Sequence, residues 1–335
     1  MKKEEFFMQK VELLYLSQED IMGLGIGWEE IIHRVELALI EQADKTIENP
    51  PKRGIHSREN AFIHEMPVYL KQMDACGIKW VSGYPDNREK GLPQILGLQI
   101  MNCPDTGVPL CIMDCRWITG VRTAAVTAVT VRHCAKADSR GIAIIGAGVQ
   151  GKMHLRAIKH VMPSLEVCRV YDISPQAAKV YADTLGKELN MEVLPCSSVE
   201  EAVREVDIIF TATQKVSRPF IPTDALKPGM LGGGLEAGRA WPKELLHGAD
   251  KVITDDLGQT SQYATTGAFE GGLPEFYGEL GEIVKGKPGR ENDEERILAF
   301  NIGIACEDIS LGQYIYERAR DKGAGIMLPL MEKEF

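Results

Sequence analysis

Apolar and polar positions change rhythm along the chain. Val11 to Leu16 is a short apolar run that reads as a strand, and the following Ser17-Gln18-Glu19-Asp20 has the spacing of a helix cap. Trp28 to Ala43 predicts an amphipathic helix. From Ala61 to Cys115 the apolar runs shorten to Phe62–Met66, Ile78–Ser82, Ile95–Cys103 and Pro109–Met113, broken by Gly, Pro, Asn and Asp. This is the punctuation of strands and hairpins, with a turn over residues 102–107. Thr119 to Lys136, rich in Ala, Val and Thr, predicts a helix leading out of this region.

After Ser139 the pattern alternates strand and helix: Gly141–Gly146, Gln150–Val161, Glu166–Tyr171 and Pro175–Leu189, then the strands Asp207–Thr213, Met230–Gly234 and Lys251–Asp255. Such alternation predicts an α/β fold with a parallel sheet covered by helices on both faces. Glu294 to Lys322 predicts one long amphipathic helix that returns to the first region.

Composition narrows the options. At 335 residues and 44% hydrophobic, the chain has enough material for two domains. A net charge of −10, without a run of Lys and Arg, argues against a nucleic acid or a membrane surface as partner. Met1 to Lys10 lacks the order of a signal peptide and no long uncharged apolar stretch occurs, so a cytoplasmic location is expected. The eight cysteines contain no CxxC and read as buried reduced thiols; the seven histidines show no ligand spacing, and no metal is expected.

The sharpest motif is Gly146-Ala147-Gly148-Val149-Gln150-Gly151, which follows the apolar strand ending at Ile145 and opens a helix. Glycine at these positions permits the tight turn, lets the backbone approach a pyrophosphate and packs helix on strand. The helix N-terminus, from Val149 and Gln150 on, offers unpaired N–H groups to the anion. Asp172 ends the next apolar run, where an acid accepts from the adenosine ribose and repels a 2′-phosphate, so the expected cofactor is NAD(H) rather than NADP(H). Thr211 and Thr213 end a further strand, at the edge where such sheets hold ligands.

Several stretches together resemble the ornithine cyclodeaminase/mu-crystallin family over nearly the whole chain. They are residues 78–87 (Ile-Lys-Trp-Val-Ser-Gly-Tyr-Pro-Asp-Asn), residues 118–125 (Ile-Thr-Gly-Val-Arg-Thr-Ala-Ala), the glycine turn, Asp255-Asp256, residues 279–284, and Ile302-Gly303-Ile304-Ala305 with Glu307-Asp308. The family includes cyclodeaminases, amino-acid dehydrogenases, ketimine and pyrroline-carboxylate reductases and a hormone-binding crystallin. The resemblance implies a Rossmann-type NAD-binding domain over residues 126–304. It implies an α+β substrate-binding and dimerisation domain from residues 1–125 plus 305–335, and hence a homodimer. It sets Lys79 beside the reacting carbon, Arg122 on the substrate carboxylate and Thr123 among the cofactor contacts. Arg53 matches a second carboxylate contact, with Lys52 or Arg58 as alternatives.

The residue types fit those roles. Arginine grips a carboxylate through two parallel hydrogen bonds, and a buried lysine near other cations has a pKa lowered toward neutrality. Arg122 stands near a predicted helix N-terminus, where a cation needs an anion such as substrate or pyrophosphate beside it. One departure matters: the Asp that orients the distal amine in family cyclodeaminases falls on Gly238 when counted back from Glu244-Leu245. Glu236 substitutes for it only if the loop is rearranged, and Arg239 and Trp241 of that loop are candidates to face the substrate side chain.

The expected function is therefore hydride transfer between NAD(H) and the CH–NH2 or C=N carbon of a small amino or imino acid, as in an amino-acid dehydrogenase or imine reductase. The alternatives are a cyclodeaminase-type ammonia-lyase with recycled NAD and a non-catalytic nucleotide-dependent binding protein.

Overall fold

The two rhythms become two sheets. A computed structural model describes residues 10–214 and 216–332; the reading made for Met1 to Lys10 rests largely on residues outside these. The first sheet has the strand order Ile326–Met331, Val11–Leu16, Pro109–Asp114, Ile95–Asn102, Ala75–Gly83, Phe62–Leu70, Ile47–Glu48, with Arg53–Ile55 also paired to Phe62–Leu70. All neighbours are antiparallel except Val11–Leu16 and Pro109–Asp114, which run parallel.

Side chains alternate across a strand, and here the two faces differ in kind. Along Ala75–Gly83, Gly77, Lys79 and Val81 are buried, while Ile78 is half-buried and Trp80 exposed. The helix Ala305–Lys322 covers the buried face: a methyl on Gly77 would stand 3.0 Å from Ile309, and one on Gly312 would run into Gln99.

The second sheet is parallel throughout, in the order Glu192–Pro195, Val167–Tyr171, Gly141–Ile145, Ile208–Thr211, Leu231–Gly234, Ile297–Phe300, Lys251–Thr254, Gly278–Glu279. Chain order runs outward from Gly141–Ile145 in one direction, then resumes on its other side with Ile208–Thr211. The crevice between these two strands is a topological switch point, where open α/β sheets bind ligands outside the strand C-termini.

Ser17 caps the helix Gln18–Gly23 in a capping box with Asp20, and Trp28–Ala43 is helical throughout. The helix expected over Thr119–Lys136 spans Arg116–Cys134, so the boundary drawn at residues 125 and 126 falls inside one continuous element. The expectation for Glu294–Lys322 needs correction. Ile297–Phe300 is a buried strand of the second sheet, and only Ala305–Lys322 is helical. A short apolar run flanked by helix formers has no period that separates the two states. Six cysteines are buried, Cys76 and Cys103 are half-buried, and all eight are free. Among the described residues no helix is long and apolar enough to cross a membrane.

Candidate active site between the sheets

The glycine turn has a distinct reason for each glycine. Gly146 has φ +116°, and a Cβ there would lie 2.5 Å from the Ala212 carbonyl. One on Gly151 would run into the Gly146 carbonyl, so helix Val149–Val161 sits tight on its strand. A Cβ on Gly148 would meet nothing within 4 Å, which leaves the backbone open to a ligand. Asp172 Oδ2 accepts from Ala147 N at 2.8 Å and Oδ1 from Ser174 N at 2.9 Å, so its carboxylate is fixed beside the turn with lone pairs to spare.

The surroundings of the turn are short of hydrogen-bond partners. Thr213 Oγ1, Gln150 Oε1, Thr119 Oγ1 and Glu236 Oε2 are buried oxygens without a partner among the described residues, although such groups are normally satisfied. An open cradle ringed by unpaired oxygens fits a dinucleotide rich in hydroxyls and amides. Thr123 is placed differently: its hydroxyl donates to the Thr119 carbonyl one turn back, at 2.7 Å, and keeps only acceptor capacity.

From this cradle a chain of contacts leads to the other candidate residues. Gln150 donates to the Thr119 carbonyl at 3.4 Å, and Arg122 lies one turn further along the same helix. Arg122 Nε donates to Asp308 Oδ1 at 3.0 Å and Nη1 to Glu307 Oε2 at 2.7 Å. Asp308 Oδ2 in turn accepts from Lys79 Nζ at 2.6 Å. Lys79, Glu307 and Asp308 are essentially without solvent exposure. Both acids lie in the first turn of Ala305–Lys322, where the helix dipole favours negative charge. The anion anticipated for Arg122 is thus supplied by the protein itself.

Burial sets the proton affinities here. It lowers the Lys79 pKa to about 8, helped by the Arg122 charge and opposed by Asp308. It raises Glu307 to about 8 against the pull of Arg122, with Asp255 and Asp308 adding repulsion. Arg122 is held above its ordinary range because Asp308 and Glu307 outweigh its desolvation.

The loop that carries the chain from Phe300 to this helix is clamped from both sides. Asp255 accepts from Ile302 N at 3.1 Å and Gly303 N at 2.6 Å, while Lys52 Nζ donates to both carbonyls of the same residues at 2.9 Å. Gly303, at φ +78°, leaves the space that the Arg122 guanidinium fills. Arg53, by contrast, pairs with Glu65, which pairs with Trp80, so it belongs to the opposite face of the sheet from Lys79 and is exposed. Of the alternatives named for this stretch, Lys52 is the one on the Lys79 side. Alternation from Lys79 through Met66 gives that answer once the strand register is known, but the register is not written in the sequence.

Glu236 stands at the C-terminal edge of the parallel sheet, hydrogen-bonded to the Thr211 hydroxyl, and burial pushes its pKa up to about 7. Gly238 packs against Phe269 with no room for a side chain. The loop therefore presents its carboxylate at position 236. Trp241 is fully buried in a core cluster with Phe269 and Phe300 and does not line the site as anticipated, and Arg239 donates to the Thr266 hydroxyl at 2.7 Å. Glu307 and Asp308 entered the sequence reading only as part of the family resemblance, inside a longer expected helix; that Asp308 bridges Lys79 and Arg122, with Glu307 beside it on Arg122, needed the fold.

Comparison with known proteins follows the same lines. A model of the ornithine cyclodeaminase/mu-crystallin family matches residues 12–323. The nodulation efficiency protein NfeD of Rhizobium meliloti is 33% identical over 316 residues, covering 94% of this chain and 98% of that protein. The structure of Thermococcus litoralis Δ1-pyrroline-2-carboxylate reductase in complex with NADH and L-proline superposes with a TM-score of 0.85 at 33% identity, over 94% of this chain and 99% of that one. An archaeal alanine dehydrogenase dimer with bound NAD gives a TM-score of 0.87 at 28% identity, over 96% and 100%.

Proposed function

The chain belongs to the ornithine cyclodeaminase/mu-crystallin family, and from that membership and its buried ion cluster we propose the reaction it performs. It is an NAD(H)-dependent oxidoreductase acting on the CH–NH2 or C=N carbon of a small amino or imino acid. The observation that carries this reading is Lys79, a buried ammonium of lowered pKa, joined through Asp308 to Arg122 and through Arg122's helix to the glycine turn. Relatives named as alanine dehydrogenase and pyrroline-2-carboxylate reductase support it.

The dinucleotide, when bound, supplies or accepts a hydride at its nicotinamide ring. Gly148, Val149, Gln150 and Gly151 would hold its pyrophosphate through backbone N–H groups at the turn that Gly146 makes, its own N–H donating to the Tyr171 carbonyl at 2.8 Å; Asp172 would hold the adenosine ribose, and Thr211, Thr213 and Thr119 would line the crevice. Arg122 uses its remaining N–H groups, those not given to Glu307 and Asp308, to grip the substrate carboxylate and fix the reacting carbon. In the reductive direction Lys79 gives its proton to the nitrogen of the imine, and the amino acid leaves; in reverse it takes that proton. Glu236, poised near neutrality at the sheet edge, is a second proton carrier.

Two broader statements go with this reading. The exposed apolar face around Trp80 and Leu98 supports a homodimer. Eight unpaired cysteines support a reducing, cytoplasmic setting.

The test is absorbance at 340 nm with NADH, keto acids plus ammonium, and cyclic imino acids. Stoichiometric loss of NADH is expected, and Lys79→Ala should slow it by about 10²–10⁴-fold. Conversion of a diamino acid with no net change in NADH would instead identify a cyclodeaminase, and NADH binding without turnover of any substrate would identify a binding protein.

A further inference from the structure

The face of the first sheet that carries Lys79 also carries a set of polar groups that the hydride-transfer reading does not use. Lys79 pairs with Met66 across the strands, which makes His64 its diagonal neighbour on the same face, about 7–8 Å away along the backbone and within reach of long side chains. Continuing the register of Arg53 with Glu65 by one residue sets Lys52 on the other side of Met66. His64 is half-buried and stacked on Phe62 at 4.2 Å, and its ring lies over Gly54, where a Cβ would strike it. Neither ring nitrogen of His64 has a protein partner among the described residues.

The charged groups that act most on this imidazole are cationic. Desolvation lowers its pKa to about 4, and the charges that add to this are those of Lys52, His56 and Lys79. Lys52 makes no ion pair within 4 Å among the described residues; its ammonium is held by two backbone carbonyls and keeps a third N–H. Asp255, on which the Lys52 charge acts, lies across the Ile302 and Gly303 peptides, with its oxygens on their N–H groups. Lys52 and His64 thus leave spare N–H donors on the Lys79 face of the sheet.

We infer that the substrate carries a second acidic group on its side chain, and that His64 and Lys52 recognise it. The substrate is then a dicarboxylic amino or imino acid, with one carboxylate on Arg122 and the distal one on the His64 edge. A diamino acid would bring an ammonium against that of Lys52, so the same corner discriminates against cyclodeaminase substrates by repulsion. The inference rests on the hydride-transfer reading for its chemistry but on separate residues for its specificity.

The experiment compares 2-oxoglutarate and oxaloacetate with 2-oxobutyrate and pyruvate, each with ammonium and NADH. The dicarboxylates should have kcat/KM at least about tenfold higher, as expected when a site built for a polar group rejects the analogue lacking it. His64→Leu should collapse that ratio, and His64→Lys should restore it. A wild-type ratio at or below one, or a ratio that His64→Leu leaves alone, overturns the inference while leaving hydride transfer standing. If no keto acid oxidises NADH, calorimetry decides the specificity: glutarate should bind the NADH-loaded protein more tightly than butyrate, and equal affinities would sink the assignment; hydride transfer itself fails only if the cyclic imino acids are inert as well.

Discussion

Lys79 and Glu307 stand two hydrogen-bonded partners apart, and burial moves their proton affinities toward each other. For Lys79 the consequence is kinetic. A lysine that must carry a proton to the imine nitrogen is competent only below its pKa, so reductive kcat/KM should fall as pH rises through about 8. Asp308 is the group that keeps this value up; Asp308→Asn should move the break to lower pH. Leaving two cations buried without their shared acid should also cost about 3–5 kcal/mol of stability. A pH–rate profile with no break between 6 and about 9 would count against Lys79 as the proton carrier. For Glu307 the consequence is thermodynamic. Its pKa is about 8 in the fold against the usual 4.5, so between these values the native chain holds a proton that the unfolded chain has released. Raising pH across that window therefore favours unfolding, and its contribution to stability is lost by about pH 8. Glu307→Gln mimics the protonated form and removes this slope. The melting temperature of the variant should gain on the wild type steadily from pH 5 to about 8.5, and parallel curves would show that Glu307 is ionised throughout.

At the scale of elements, the turn after Ile145 separates binding from folding because its glycines face different neighbours. Gly148→Ala points a methyl into open space, so the fold should survive while the approach of a pyrophosphate is obstructed. Gly151→Ala drives a methyl into the Gly146 carbonyl and should lower the melting temperature even without nucleotide. NADH fluorescence titration and a thermal scan on both variants check this; loss of stability in Gly148→Ala with intact NADH affinity would reverse the assignment. This turn was legible in the sequence because strand, glycines and following acid are contiguous in the chain. Trp28–Ala43 was legible because one period runs its whole length. Ile297–Phe300 was not, since four apolar residues buried in a parallel sheet have no period of their own. Ile326–Met331 was missed because its meaning comes from pairing with Val11–Leu16, more than three hundred residues earlier. The site divides in the same way. Lys79 and Arg122 stand out in the sequence by their local motifs, whereas the neighbours of Lys79 on its sheet face, Lys52, His64 and Asp308, follow only from register and from the return of Ala305–Lys322 across the sheet.

For the whole molecule, the first sheet has one face closed and the other unfinished. The helix Ala305–Lys322 covers the Lys79 side, but on the reverse side Ile78, Ile100, Ile112, Tyr15 and Ile326 form a register row across five strands. Trp80 and Leu98, 43% and 42% exposed, face each other in the next row. An apolar sheet face of this extent is costly to leave in water, and a second copy of the same face, related by a two-fold axis, is its simplest cover. Trp80 neighbours Lys79 in the chain, so whatever covers the outer face also stiffens the strand that aims the ammonium. Trp80→Glu introduces a charge at the centre of that face and should convert a dimer into a monomer by light scattering. The variant should lose substrate turnover more than NADH affinity, because the glycine turn belongs to the other sheet. A wild-type protein that scatters as a monomer at concentrations far above those of the assay would show that the face is covered by something else, and a Trp80→Glu dimer would place the contact elsewhere on the surface.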